Sequence, residues 1–379
     1  MHYVSARGEA PVLGFSDAVL AGLARDGGLY VPKEWPHFSA ADIRVMRGLS
    51  YADDPDATVN ISATSLAALL AAGTNLTLQA SNDITVSAAV TVNNALGDGG
   101  DLTLQAGRSV LLNASITTDN GDLTLIANDT LANGVVDAHR DSGAATITMG
   151  VGTAIAAGTG AVTIDLRNGA GKTNTAAGDI TLRTITASAL TVTSAATAGD
   201  ILLNGNITTG GAQDYTSERD IKLAASTTLT ITGAATLSMD AARQVSLTTG
   251  AKIENTYAGG LTPFAAIDIT ANRRATADAG TLSGIDLSGA IIRTAAGAAG
   301  SIALSARGGA SDGRGINMLG GSTIEALGSG TITLHGTSGT GSGGTTYGTF
   351  LHQSSQVIGT NGDIEITGEA VGSGVGPGL

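Results

Sequence analysis

From about residue 60 onward the chain repeats one short phrase, a tight turn followed by a strand in which aliphatic residues alternate with Thr. Gly100-Asp101-Leu102-Thr103-Leu104 is followed by Gly121-Asp122-Leu123-Thr124-Leu125, then by Gly178-Asp179-Ile180-Thr181-Leu182 and Gly199-Asp200-Ile201-Leu202-Leu203. Later copies begin at Gly300, Gly330 and Gly362. A spacing of 21 residues separates Gly100 from Gly121, and Gly178 from Gly199. Alternation puts aliphatics on one face and hydroxyls on the other, which is the pattern of a half-buried strand. One such turn of chain cannot bury its own apolar face. Stacking successive turns at about 4.8 Å makes a common core, so a period near 20 residues predicts a β-solenoid. About 310 residues at about 20 per turn would give roughly 15 coils stacked over about 70 Å.

Composition agrees with a narrow aliphatic interior. Only 3% of the 379 residues are aromatic and 13% charged, yet 42% are hydrophobic and 55 are Gly. The distribution is uneven, however. Residues 1–52 hold Tyr3, Phe15, Tyr30, Trp35, Phe38 and Tyr51, six of the eleven aromatics, together with five basic and five acidic side chains. The net charge of −13 therefore falls on the remainder, and an acidic surface of that kind argues against nucleic acid as a partner. The absence of Cys removes disulfides, thiolate catalysis and Cys-based zinc sites. No apolar run reaches the roughly 18 residues of a membrane span. The N-terminus lacks a secretory signal pattern, which predicts a cytoplasmic chain as written.

The first 52 residues read as a small α/β segment. A strand is expected at His2–Ser5 and a turn at Gly8. Ser16 stands as an N-cap with Asp17 in the first turn, and Val19, Leu20, Leu23 and Ala24 follow at helical spacing up to Gly27-Gly28. Leu29–Val31 reads as a strand, and Ser39 to Asp42 opens a second helix presenting Ile43 and Met46. An open solenoid end needs a cover, and the helix carrying Val19, Leu20 and Leu23 is expected to supply it near Ile61–Leu70. The organisation expected is thus an N-terminal segment at 1–52, a junction at 53–59, repeats over 60–370 and a Gly-rich tail at 371–379.

The phrases YVSARG, FSDAVLAGLARDGGLYVP and RGLSYAD in residues 1–52 resemble the N-terminal segment of threonine synthase, with Ala6 where that family usually has Thr. The resemblance covers about one-seventh of the chain. It implies a pyridoxal-phosphate enzyme converting phosphohomoserine to threonine, which needs a Schiff-base Lys in a phosphate-cradling pocket. Beyond residue 52 the lysines are Lys172, Lys222 and Lys252, and none stands in the family's Lys context. No cofactor is therefore expected to bind, and no catalytic, cofactor-binding or metal residue is assigned. The phrases NLTLQA, DLTLQAGRSVLLNASITT and GDLTLIA resemble the repeats of filamentous haemagglutinin-like exoproteins of two-partner secretion. That likeness implies a right-handed parallel β-helix, a secreted or surface location, and host-surface glycans or proteins as partners. With two resemblances meeting near residue 52, the chain reads as a chimera.

Other residue groups were weighed for chemistry. Asp137, His139, Arg140 and Asp141 cluster in a break in the repeat, where a solvated loop is expected; a carbohydrate-active β-helix would need such carboxylates on one sheet face. The Thr pairs Thr146/Thr148, Thr191/Thr193, Thr230/Thr232 and Thr331/Thr333 could form a hydroxyl array, although Thr is simply a good outward strand residue. His335 and His352 are too far apart in sequence for a metal pair. Asp98, Asp101, Asp119 and Asp122 suit corner turns better than a calcium repeat. The Gly-rich residues 336–348 read as a loop between strands. The leading expectation is a non-catalytic structural, adhesin-type exoprotein; the alternative is a threonine-synthase-related protein lacking its cofactor Lys.

Overall fold

The computed structural model describes residues 2–33, 58–95, 97–260, 262–274, 276–311, 313–341 and 346–371. The chain divides into two compact units, Met1–Ala57 and Thr58–Leu379.

In the first unit, strand β1 (His2–Ser5) pairs antiparallel with both β2 (Leu13–Gly14) and β3 (Tyr30–Pro32). Helix α1 (Phe15–Ala21) follows β2 directly. Its N-cap is Gly14, with no side-chain cap, so Ser16 lies inside the helix and does not start it. It ends at Gly22, whose φ of 66° is left-handed, and not at Gly27-Gly28. Those two glycines instead close a hairpin: Leu23 bridges Leu29, and the Ala24 N–H donates to the Gly28 carbonyl at 2.9 Å. Val19, Leu20 and Leu23 are exposed at 63%, 86% and 64%, so the buried helical face expected of them does not form. The expected helix over Ser39–Met46 lies outside the described residues.

The second unit is mainly β, with three long parallel sheets of 11, 10 and 10 strands among the described residues, none of them closed into a barrel. The chain visits the three sheets in turn, and each strand hydrogen-bonds the third strand before it and the third after it. In the first sheet one inward column runs Leu76, Leu102, Leu123, Val162, Leu190, Gln213, Leu237, Ile267, Ile302, Ile332 and Ile364, every member in register with the next. The side chains between these columns alternate buried and partly exposed, as the Leu-Thr-Leu phrases predict. Aliphatics from all three sheets merge into one apolar core.

Ten stacking steps carry the chain from Leu76 to Ile364, so a turn takes about 29 residues and not about 20, and the expected fifteen coils become about eleven. Loops account for the difference. Residues 128–144 and 272–284 lie between strands that still stack in register, because parallel pairing constrains strands and not the chain between them. Eleven strands span about 48 Å along the stack.

The first turn is covered from within this unit by helix α2 (Ala63–Ala71), whose Ser62 side chain accepts the Ser65 N–H at 3.4 Å as an N-cap. It buries Leu66 and Leu70 against the core. This cover is built from the second unit's own Ser-Ala-Thr-Ser-Leu-Ala-Ala-Leu-Leu, in which Ala and Leu are good helix formers. No helix among the described residues is long and apolar enough to cross a membrane.

Candidate functional site

The first unit's polar chemistry centres on Asp26. Its carboxylate accepts the Ser5 hydroxyl at 2.7 Å, the Gly28 N–H at 2.9 Å and the Glu9 N–H at 3.0 Å. The Ser5 bond, then the Gly28 bond, holds this carboxyl below its ordinary range. Arg7 closes the arrangement, donating from Nη1 to the Asp26 carbonyl at 3.0 Å while its N–H donates to Ser5 Oγ at 3.1 Å. A Cβ on Gly28 would lie 2.3 Å from Ser5 Oγ, so only Gly fits there. Ser5-Ala6-Arg7 and Asp26-Gly27-Gly28 thus interlock as a structural latch.

In the second unit the densest buried polar group lies beneath the loops at 128–143 and 167–176. Asn128 is fully buried at a left-handed φ of 51°, and its Nδ2 donates to the Arg167 and Thr175 carbonyls, each at 3.0 Å. Its Oδ1 accepts from Lys172 Nζ at 3.1 Å. Lys172 also donates to the Gly107 carbonyl, and is only 7% exposed. Burial first, then the nearby Arg140 charge, lowers its ammonium to about 8. Arg140, also 7% exposed, donates to the Ala176 carbonyl at 3.0 Å; burial and Arg108 pull it below its ordinary value. Asp129 has no exposure. Burial pushes its carboxyl up, but hydrogen bonds from Asn133, Gln105, Thr130 and Arg167 outweigh that and hold it low.

Of the four residues weighed in this break, only Arg140 enters the buried group. Asp137 accepts from Thr173 N–H at 2.9 Å and from its hydroxyl at 2.5 Å, which hold its carboxyl low. Asp141 is exposed and faces Arg108 at 3.5 Å, and His139 is half-buried. They do not converge on one point. Lys172 was weighed in the sequence only as a cofactor lysine, and Asn128 and Asp129 went unrecognised; a Lys preceded by glycines in NGAGKTN and the Asn-Asp pair following a strand were the available signals.

The Thr pairs are dispersed. Thr148 lies in the second sheet, Thr230 in the third, and Thr191 and Thr333 far apart in the first. An outward column of Thr77, Thr103, Thr124, Thr163 and Thr191 does stack in register on the first sheet. The corner carboxylates hold backbone: Asp101 Oδ1 accepts the Asp122 N–H at 2.9 Å, and Asp122 Oδ1 accepts the Ala161 N–H at 2.8 Å. Asp119 accepts the Asn94 N–H, and the Asp98 carbonyl accepts from Asn94 Nδ2 at 2.8 Å. His335 sits beside Ser305 on the first sheet, whereas His352 stacks on Phe350 at 5.5 Å. No group of three His, Cys, Asp or Glu suited to a metal occurs among the described residues. The Gly-rich stretch begins inside the strand Ile332–Thr337, and residues 342–345 lie outside the described residues.

The family model for the threonine synthase N terminus matches residues 2–59. Threonine synthase of Methylobacillus glycogenes is 53% identical over 53 residues, 14% of this chain and 11% of the relative. Threonine synthase of Pseudomonas aeruginosa is 55% identical over 51 residues, with the same 14% and 11% coverage. Threonine synthase-like 2 of Mus musculus is 45% identical over 51 residues, again 14% and 11%. The chain spans about a tenth of the length of the curated relatives it matches. No solved structure matches.

These matches correct the leading functional expectation. They favour the threonine-synthase-related alternative through residues 2–59, and neither the haemagglutinin-like resemblance nor the adhesin, exoprotein and chimera readings built on it find support among them. A shared alternation of Leu and Thr reflects what any stacked half-buried strand requires, which is why it misleads as a family signal.

Pyridoxal phosphate, the cofactor that the threonine synthase resemblance implies, needs an amine aimed into a pocket. Lys172 Nζ is engaged by Gly107 and Asn128 inside a buried cluster. Lys222 Nζ pairs with Asp200 at 2.5 Å and Asp220 at 3.4 Å. Lys252 stands on the outward face of the third sheet, in register with Thr228 and Ile291, and Lys33 is exposed. The described lysines do not fit the cofactor.

Proposed function

We propose that this chain is a threonine-synthase-related protein through residues 2–59, which serve as the N-terminal unit of that family. The family match over those residues carries the reading, and the Ser5–Arg7–Asp26–Gly28 latch supports it, because the interlocked phrases are the ones that resemble the family. On this reading the unit contributes a folded module and not the reacting groups of phosphohomoserine conversion. The chain itself holds no pyridoxal phosphate. Replacing the matching 53-residue segment of Methylobacillus glycogenes threonine synthase with residues 1–59 of this chain tests it. The chimeric enzyme should form threonine from phosphohomoserine within about ten-fold of the parent, or about 1.4 kcal/mol. A folded chimera without activity would overturn the reading. Titration of this chain with pyridoxal phosphate should give no internal-aldimine absorbance, and a stoichiometric band would refute the cofactor statement.

The second unit reads as a right-handed parallel β-helix. The sequential visiting of three parallel sheets supports a coil, and the strong right-handed preference of parallel crossovers supports its hand. A crystal structure with left-handed connections would reject this assignment.

A further inference from the structure

Three consecutive strands of the first sheet, Phe264–Ala271, Gly300–Arg307 and Ile332–Thr337, end beside a surface cleft of about 200 Å³. Register places Thr270, Ser305 and His335 side by side across the strands, with Arg307 next to Thr337. The loop leaving Ala271 adds Arg273 and Arg274 to the wall. Among the described residues three guanidiniums, an imidazole and hydroxyls line one cleft in a chain of net charge −13, and the Glu369 carboxylate stands at its edge, accepting the Thr337 hydroxyl at 3.4 Å.

Acidic partners orient two of these arginines, Arg273 and Arg274, from outside the lining. Arg273 Nε meets Asp240 at 2.6 Å and its Nη2 meets Glu218 at 3.0 Å. Arg274 Nη1 meets Asp278 at 3.0 Å, and its Nη2 donates to the Glu218 carbonyl. Arg307 Nη2 donates to the Arg274 carbonyl, tying the two guanidinium-bearing segments together. Arg273 Nη1 donates to none of the described residues. A guanidinium held by a carboxylate along one edge presents its remaining N–H groups in a fixed direction, which suits an oxyanion with several acceptor oxygens.

We infer that this cleft is a binding site for a small tetrahedral oxyanion, phosphate or sulfate, free or as the terminal group of a small ligand. The volume lies below the 300–1,000 Å³ of typical organic-ligand pockets, so the anion itself is the main occupant. The inference does not rest on the reading of residues 2–59.

Calorimetric titration of the full chain with inorganic phosphate and with sulfate, at constant low ionic strength in chloride buffer, tests it. One saturable site is expected for at least one anion. Whichever binds more tightly identifies the source. Arg274→Gln and Arg307→Gln should each weaken binding by about ten-fold or more, while Arg293→Gln, on the third sheet, should leave it unchanged. Should either arginine variant lose its folded circular dichroism, His335→Ala and Ser305→Ala remove donors from outward strand positions and should weaken binding by about three-fold or more. Absence of saturable binding up to about 20 mM of either anion, or equal affinity in all folded cleft variants, overturns the proposal.

Discussion

Lys172 makes stability depend on pH in a direction opposite to that of a salt-bridged Lys. Its ammonium falls from an ordinary 10.5 to about 8 because burial, then Arg140, disfavours the charged form. That displacement corresponds to about 3 kcal/mol. Below about pH 8 both folded and unfolded chains carry the proton, and the penalty is present in full. Between about pH 8 and 10.5 the unfolded chain binds more protons than the folded one, so stability rises with pH until the folded amine is neutral and the unfolded amine follows. From pH 7 to 9.5 the gain is about 2 kcal/mol. Urea unfolding of the wild type and of Lys172→Met, at matched ionic strength across that range, isolates it. The variant also removes a donor from the Gly107 carbonyl and Asn128, which displaces its curve by a constant but not by a slope. The wild-type curve should climb relative to the variant by about 2 kcal/mol. Parallel curves would refute the assignment of a depressed ammonium to this site.

Other consequences are equally direct. Gly28→Ala places a Cβ against Ser5 Oγ, so hydrogen exchange at the Ala6 and Ala24 amides, which bond Leu29 and Gly28 carbonyls, should quicken by about ten-fold or more. Tyr215 is fully buried and donates to Gln213 Oε1 at 2.9 Å; Tyr215→Phe should cost about 1–3 kcal/mol in urea unfolding, and Gln213→Leu with Tyr215→Phe should recover part of that loss. Leu70→Ala, at a fully buried position of helix α2, should cost about 2–5 kcal/mol, whereas Leu69→Ala, 51% exposed, should change stability by less than about 0.5 kcal/mol.

Much of the second unit was legible locally. Leu102-Thr103-Leu104 and Leu123-Thr124-Leu125 show which side chains turn inward, and their burial follows that pattern. Gln213 and Tyr215 were not legible as core, since a polar pair enters an aliphatic column only by satisfying itself and the Thr230 carbonyl, to which Gln213 Nε2 donates at 2.8 Å. Helix α2 was hidden because its Ala and Leu residues run straight into the first Leu-Thr-Leu phrase. In the first unit, glycines marked the stops, but whether Gly27-Gly28 ended a helix or closed a hairpin depended on the pairing of Leu23 with Leu29. The candidate sites were the least legible. His335 and Arg140 stood out as residue types, while their neighbours came from other turns of the chain.

What the sequence by itself determined was the alternation, the aliphatic core and the resemblance of residues 1–52, all carried by residues near one another along the chain. Only the tertiary structure decided how many turns stack, what covers the first of them, and that Thr270, Ser305 and His335 meet beside three arginines. The reason is geometric. Parallel stacking brings residues about thirty positions apart to within about 5 Å, and loops of unequal length between strands remove any fixed spacing from which that meeting could be read.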